Sequence, residues 1–153
     1  MSAEASQLYF EDFKPGQIFA GQSRTLDEES FLLFAKITGD AHPIHYDREY
    51  AMKTRFGERV AHGLLVMSVT ALGATPLSAR LEESMGAFVE QDGKFLRAVL
   101  IGETVRTEFE VEEVRATKSP SQGVVRFAVR ALNAKGEVVL AGHHTYLLKR
   151  RKA

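Results

Sequence analysis

Residues Ala35–Ala51 read AKITGDAHPIHYDREYA, and the way this stretch turns decides how the chain is arranged. Asp40 and His45 stand five positions apart, and Gly39 and Pro43 punctuate the run. On one ideal helix a five-residue step is roughly 500° of rotation, so the two side chains would diverge. Glycine and proline interrupt a helix here, and a turn can aim both side chains at one point. A carboxylate and an imidazole that converge can hold a water molecule and take its proton.

Working back towards the N-terminus, the spacing predicts a helix that ends at about Thr38. Thr25 reads as its N-cap, with Glu28 three residues later in a capping box. Phe31, Phe34, Ala35 and Thr38 form one face, backed by Leu33 and Ile37. Gly39 supplies the left-handed residue that closes the helix, so Asp40 follows directly after its end. Gln17–Arg24 reads as a first strand, preceded by a turn at Lys14-Pro15-Gly16.

Working forward, Asp47 caps a short helix over Arg48–Lys53, and Thr54–Val60 reads as a loop. Val60–Ala79 contains no Asp, Glu, Lys or Arg. The reading is a long apolar helix from Gly63 to about Ser84 that kinks or restarts at Thr75-Pro76. Its histidine, glycines, proline and hydroxyl residues fit a buried core helix better than a membrane span. Beyond it, Gly86–Gln91 and Phe95–Ile101 read as strands joined by an Asp92-Gly93 hairpin. Val105, Thr107, Phe109 and Val111 alternate with Arg106, Glu108, Glu110 and Glu112, as in a strand with one wet face. Val125–Ala131 alternates likewise, and Val138–Leu148 is a last strand that sends His143 and His144 to opposite faces.

The expected architecture is α+β: a single domain over residues 1–153, with a curved antiparallel sheet wrapped around a long central apolar helix. About five strands leave an open edge, so a partner chain is expected. The length, 153 residues, suits one domain, and 20 basic residues balance 20 acidic ones. No overall field favours nucleic acid or a membrane surface. The basic tail Lys149–Lys152 reads as a solvated end. With no cysteine, disulfides, thiolate metal sites and thiol nucleophiles are excluded. Met1–Glu11 lacks a charged start followed by an apolar run, so no secretory signal and a cytoplasmic location are expected.

Thr38-Gly39-Asp40-Ala41-His42-Pro43-Ile44-His45-Tyr46-Asp47 resembles the S/T-G-D-x-N-P-I/L/V-H-x-D motif of the MaoC-like dehydratases and (R)-specific enoyl-CoA hydratases. Arg55-Phe56-Gly57 followed by Ala61-His62-Gly63-Leu64-Leu65 resembles a second family segment, and Phe95–Val99 with Gly102-Glu103-Thr104 a third. The resemblance covers Gly16–Leu148. It implies a hot-dog fold, a homodimer or higher homo-oligomer, and a trans-2-enoyl thioester substrate. It implies no bound cofactor, because the CoA belongs to the substrate. Asp40 and His45 match the catalytic dyad, and Gly63 matches the glycine whose backbone N–H serves the oxyanion hole. Two positions depart from the pattern: His42 replaces the usual Asn, and Ala98 a usual Pro.

Hydration of an enoyl thioester needs water held over C3 and deprotonated, a proton for C2, and support for the thioester oxygen as it becomes enolate-like. His45 is the expected base, since an imidazole titrates near neutrality. The Gly63 N–H, as a first-turn donor, has no intrahelical acceptor. Candidate substrate contacts are His42, His62, Met67, Ala71 and Arg55, with Met85 a further liner. For His62 the competing role is a hydrogen bond at the helix start, for His42 a loop filler, and for Arg55, as for Lys53, a solvated surface charge. No metal site is expected, because its ligands would be those the dyad already uses. Two other readings compete: a thioesterase that sends water to the thioester carbonyl and releases thiol, and a non-catalytic acyl-CoA-binding subunit.

Overall fold

A computed structural model describes residues 6–152; Ala153 and the first five residues, part of the stretch read for a targeting signal, lie outside the described residues. Five strands form one antiparallel sheet: β1 (Ile18–Thr25), β2 (Met85–Phe95), β3 (Thr104–Ala116), β4 (Gln122–Asn133) and β5 (Val138–Lys149). Their spatial order is β1-β3-β4-β5-β2, so a central β3–β4–β5 meander is flanked by strands that arrive from elsewhere in the chain. The period-2 pattern sets which face is buried. Val105, Phe109 and Val111 of β3 and Val125, Phe127 and Val129 of β4 point inward and are essentially inaccessible. Outward, Arg130 pairs with Glu108 at 2.7 Å and Arg126 with Glu112 at 3.1 Å. Register shifts between Ala20 and Ser23, and between Val111 and Glu113, bend the sheet.

The helical segments cover the inner face. α1 spans Glu28–Thr38, α2 Pro43–Tyr46, α3 Arg48–Met52 and α4 Gly63–Ser68. One buried cluster joins Phe10, Phe13, Leu72 and Leu81 to the sheet. The other joins Leu26, Phe31, Leu65, Val66 and Val99, and it lies beneath the loops that carry Asp40 and His45. As expected, α1 closes at Gly39, whose φ of 79° is the left-handed value. Asp47 caps α3 by accepting from the Tyr50 N–H at 3.0 Å.

Five expectations are corrected. The N-cap of α1 is Asp27, which accepts from the Ser30 N–H at 2.9 Å; Thr25 instead closes β1 opposite Thr104. The apolar stretch after Gly63 is not one long helix. α4 ends at Ser68, and only short 3-10 turns follow at Leu72–Ala74 and Ser78–Arg80. The hydroxyls explain the break: Ser68 donates to the Leu65 carbonyl at 2.7 Å, Thr70 to Met67 at 2.6 Å and Thr75 to Leu72 at 2.7 Å, with Pro76 following. Asp92-Gly93 is not a turn; it lies within β2, where Asp92 faces His143 and Gly93 faces Gly142. A Cβ on Gly142 would come within 2.1 Å of the Asp92 carbonyl oxygen, so the glycines serve close approach of two strands. Consequently β2 ends at Phe95, and of the expected Phe95–Ile101 strand only a bridge between Leu100 and Val60 remains. Leu33 and Ile37 do not back the buried face of α1; they are 52% and 82% exposed. Among the described residues no helix is long and apolar enough to cross a membrane.

Candidate active site

The Val60–Leu100 bridge organises the site. The Ala61 N–H donates to the Val99 carbonyl at 2.7 Å and the Ile101 N–H to Arg59 at 3.0 Å, so residues 59–61 are fastened beside residues 99–101. His62 and Gly63 follow directly, at fixed positions. On the other side, Thr38 Oγ1 donates to the Phe34 carbonyl at 2.7 Å and accepts from the Asp40 N–H at 3.2 Å, which holds the turn after α1. His42 caps α2, its Nδ1 accepting from the Ile44 N–H at 3.2 Å, and Pro43 occupies the first turn. The single turn of α2 then carries His45 back towards Asp40.

His45 Nδ1 lies 2.6 Å from the Val60 carbonyl oxygen. A carbonyl only accepts, so Nδ1 carries the proton and Nε2 of the neutral ring keeps its lone pair. One donor atom from each of Asp40, His45 and His62 lies within 4.8 Å of the other two, a spacing one water can bridge. The Asp40 carboxylate is exposed, and its Oδ1 accepts from the His42 N–H at 3.3 Å.

His62 is buried, and its ring lies on that of His45 with centroids 3.8 Å apart and planes 25° from parallel. Phe34 and Phe31 flank it at 4.7 and 5.7 Å. Burial, and then the charge His45 can carry, push the His62 pKa below the ordinary histidine value. Two imidazoles and a carboxylate are also a metal-ligand set. The stacking argues against that use: imidazole lone pairs lie in the ring plane, and two nearly parallel stacked rings do not point at one ion.

A cleft of about 280 Å³ opens beside Gly63, walled by Arg55, Phe56, Val66, Phe95 and Arg97 among others. The Phe95 ring fills the space a Cβ on Gly63 would need, at 3.1 Å. Of the sequence candidates, Asp40, His45 and His62 come together, and Gly63 and Arg55 face the cleft. His42 is exposed at the α2 cap, 6.2 Å ring to ring from His45. Met67 packs on the core cluster under the site, Met85 on the other cluster, and Ala71 is exposed. Sequence reasoning missed Tyr46, whose hydroxyl touches His62 Nε2 at 2.6 Å and the Asp40 carbonyl oxygen at 2.9 Å. Its position inside the motif, next to His45, was the available signal.

Comparison with known proteins finds relatives in both sequence and structure. The family model for the MaoC like domain matches residues 12–131. An (R)-specific enoyl-CoA hydratase of Rhodospirillum rubrum is 36% identical over 99% of both chains. A 3-hydroxybutyryl-CoA dehydratase of Methylorubrum extorquens is 34% identical, over 74% of this chain and 70% of that protein. The crystal structure of a monoamine oxidase regulatory protein from Archaeoglobus superposes with a TM-score of 0.88 at 34% identity, covering 97% of this chain and 99% of that one. The chain belongs to the MaoC-like dehydratase family and has its hot-dog fold.

Proposed function

We propose that this lyase-type family member adds water across the C2–C3 double bond of a trans-2-enoyl-CoA and, in reverse, dehydrates a 3-hydroxyacyl-CoA. One observation carries the reading: Asp40 and His45 bring donor atoms within 4.8 Å of each other, a distance one water can bridge, while His45 Nδ1 is committed to Val60, leaving Nε2 as a base. Asp40 accepts one hydrogen of the water and orients it. His45 Nε2 takes the other proton as oxygen bonds to C3. The π electrons move to the thioester oxygen as an enolate, and the His45 proton then goes to C2 on the same face. The Gly63 N–H supports the enolate oxygen as a free first-turn donor. Because α4 is only six residues long, that support rests on the single donor and little on a helix dipole.

In this reading no resident cofactor takes part, and Arg55 at the cleft meets the phosphates of the substrate's CoA. A homodimer is part of the proposal. β2 is an edge strand with Phe88, Val89 and Phe95 each about half exposed, which a second copy would cover. Light scattering on the purified chain tests that point.

The functional test follows the conjugated thioester absorbance of crotonyl-CoA with wild type and Asp40→Asn, with thiol release monitored in the same cuvette. Loss of absorbance without thiol, slowed about 10²-fold or more in Asp40→Asn, supports the hydratase. Thiol release moves the assignment to a thioesterase. Binding without turnover across a panel of enoyl chain lengths leaves an acyl-CoA-binding subunit.

A further inference from the structure

His62 does no chemistry in the reaction above, yet it is the most buried polar group at the site, 2% exposed. Its ring is held from three directions. Phe31 and Phe34 pack on it, His45 stacks on it, and Tyr46 bonds to its Nε2 at 2.6 Å. The Tyr46 hydroxyl also reaches the Asp40 carbonyl oxygen at 2.9 Å and the Phe31 carbonyl oxygen at 3.2 Å. That hydroxyl has one proton. Given to a carbonyl, it leaves the oxygen to accept from His62 Nε2–H, so His62 Nδ1, which has no partner, carries only a lone pair. Val60 holds His45 at one ring atom, Nδ1. The stack adds a second constraint, on the plane of the ring.

We propose that His62 is the positioning residue of the dyad: it fixes the plane of the His45 imidazole by stacking and, through the Tyr46 hydroxyl, the main chain of Asp40. One buried ring thus references both halves of a pair that arrive from different turns of the chain. The catalytic part of this inference rests on the hydratase reading; the geometric part does not. A neutral His62 suits the role, because a stacked charge would repel the proton that His45 takes up, and burial holds His62 on the neutral side.

The test uses His62→Ala, which removes stack and hydrogen bond; His62→Phe, which keeps the stack; and Tyr46→Phe, which removes the bridge. Crystal structures come first. In His62→Ala the His45 plane turns by more than about 30°, a full departure from its well. In His62→Phe it stays, and in Tyr46→Phe the Asp40 turn shifts while His45 stays. On the enoyl-CoA that wild type hydrates, kcat falls about 10- to 100-fold in His62→Ala with KM within about twofold, and His62→Phe recovers part of the loss. In an Asp40→Asn background, His62→Ala costs nothing further. An unmoved His45 ring in His62→Ala, or a loss that multiplies with that of Asp40→Asn, overturns the proposal. Where His62→Ala does not fold, His62→Phe with a displaced His45 ring overturns it equally. A wild type inactive on every enoyl-CoA sinks the hydratase reading alone, since the crystallographic arm still decides what His62 holds.

Discussion

His45 and Val60 are tied twice: His45 Nδ1 lies 2.6 Å from the Val60 carbonyl oxygen, and the Val60 N–H donates to the carbonyl of Ile44, the residue before His45, at 3.3 Å. Val60 is itself bridged to Leu100, so the imidazole is referenced to the strand-like segment that leads into Gly63. The tautomer of the base and the place of the N–H donor are therefore set by one short piece of backbone pairing.

That relationship predicts how the dyad variants behave. His45→Gln and Asp40→Asn each lower kcat by about 10²- to 10⁴-fold, the usual worth of a positioned general base. Neither fills or empties a core position, since Asp40 is exposed and His45 half-buried. Their unfolding midpoints in urea should stay close to wild type. A variant that loses activity and stability in parallel would mean that the residue holds the turn rather than the water.

The start of α1 offers a clean contrast between two candidate caps. Asp27 accepts from the Ser30 N–H at 2.9 Å and from its hydroxyl at 2.8 Å, and these bonds hold its carboxyl below the usual carboxylate range. Asp27→Ala removes both bonds and should lower the urea midpoint. Thr25→Ala removes only an exposed hydroxyl contact to Thr104 and should stay within about 0.5 kcal/mol. Urea unfolding of the two variants ranks them, and the reverse ranking would restore Thr25 as the cap.

The pattern of correct and incorrect readings has a physical cause. Gly39 and Asp47 were legible because their roles are local: a helix end and a cap are decided within a few residues. The alternating strands were legible because burial on one face writes a period of two. Tyr46, the Val60 carbonyl and the stacking of His62 on His45 depend on a pairing between residues 59–61 and 99–101 that no local pattern records. Asp92-Gly93 misled for a related reason. Its turn preference is overridden by Gly142 across the sheet, so that the glycines serve packing and not reversal.

That packing gives a prediction with a built-in control. A Cβ on Gly142 meets backbone, the Asp92 oxygen at 2.1 Å and the Gly93 Cα at 2.7 Å. Gly142→Ala must push β2 away from β5 and should cost about 3 kcal/mol or more. A Cβ on Gly93 meets the end of a flexible side chain, Met67 Cε at 2.6 Å, which can move. Gly93→Ala should cost about 1 kcal/mol. Thermal unfolding of both variants checks the difference, and equal costs would contradict the close pairing of the two glycines.

The second buried histidine predicts a pH dependence of stability. His144 lies in the core, its Nδ1 3.0 Å from the Tyr146 hydroxyl and its Nε2 3.1 Å from Gln91 and 3.3 Å from Thr70. Burial pushes its pKa down to about 4, against a weaker upward pull from the Asp92 carboxylate. Between about pH 6.5 and pH 4 the unfolded chain therefore binds a proton here that the folded chain does not. Stability is fully present above about pH 6.5 and falls as the pH drops through that window, by up to about 3 kcal/mol in all. The carboxylates and the other histidines add their own slopes, so the informative quantity is the difference between wild type and His144→Phe. Urea unfolding at several pH values from 4 to 7 should give wild type the steeper rise with pH, the two curves diverging across the window. Parallel curves would show that His144 carries no linked proton and that its burial costs the fold nothing on acidification.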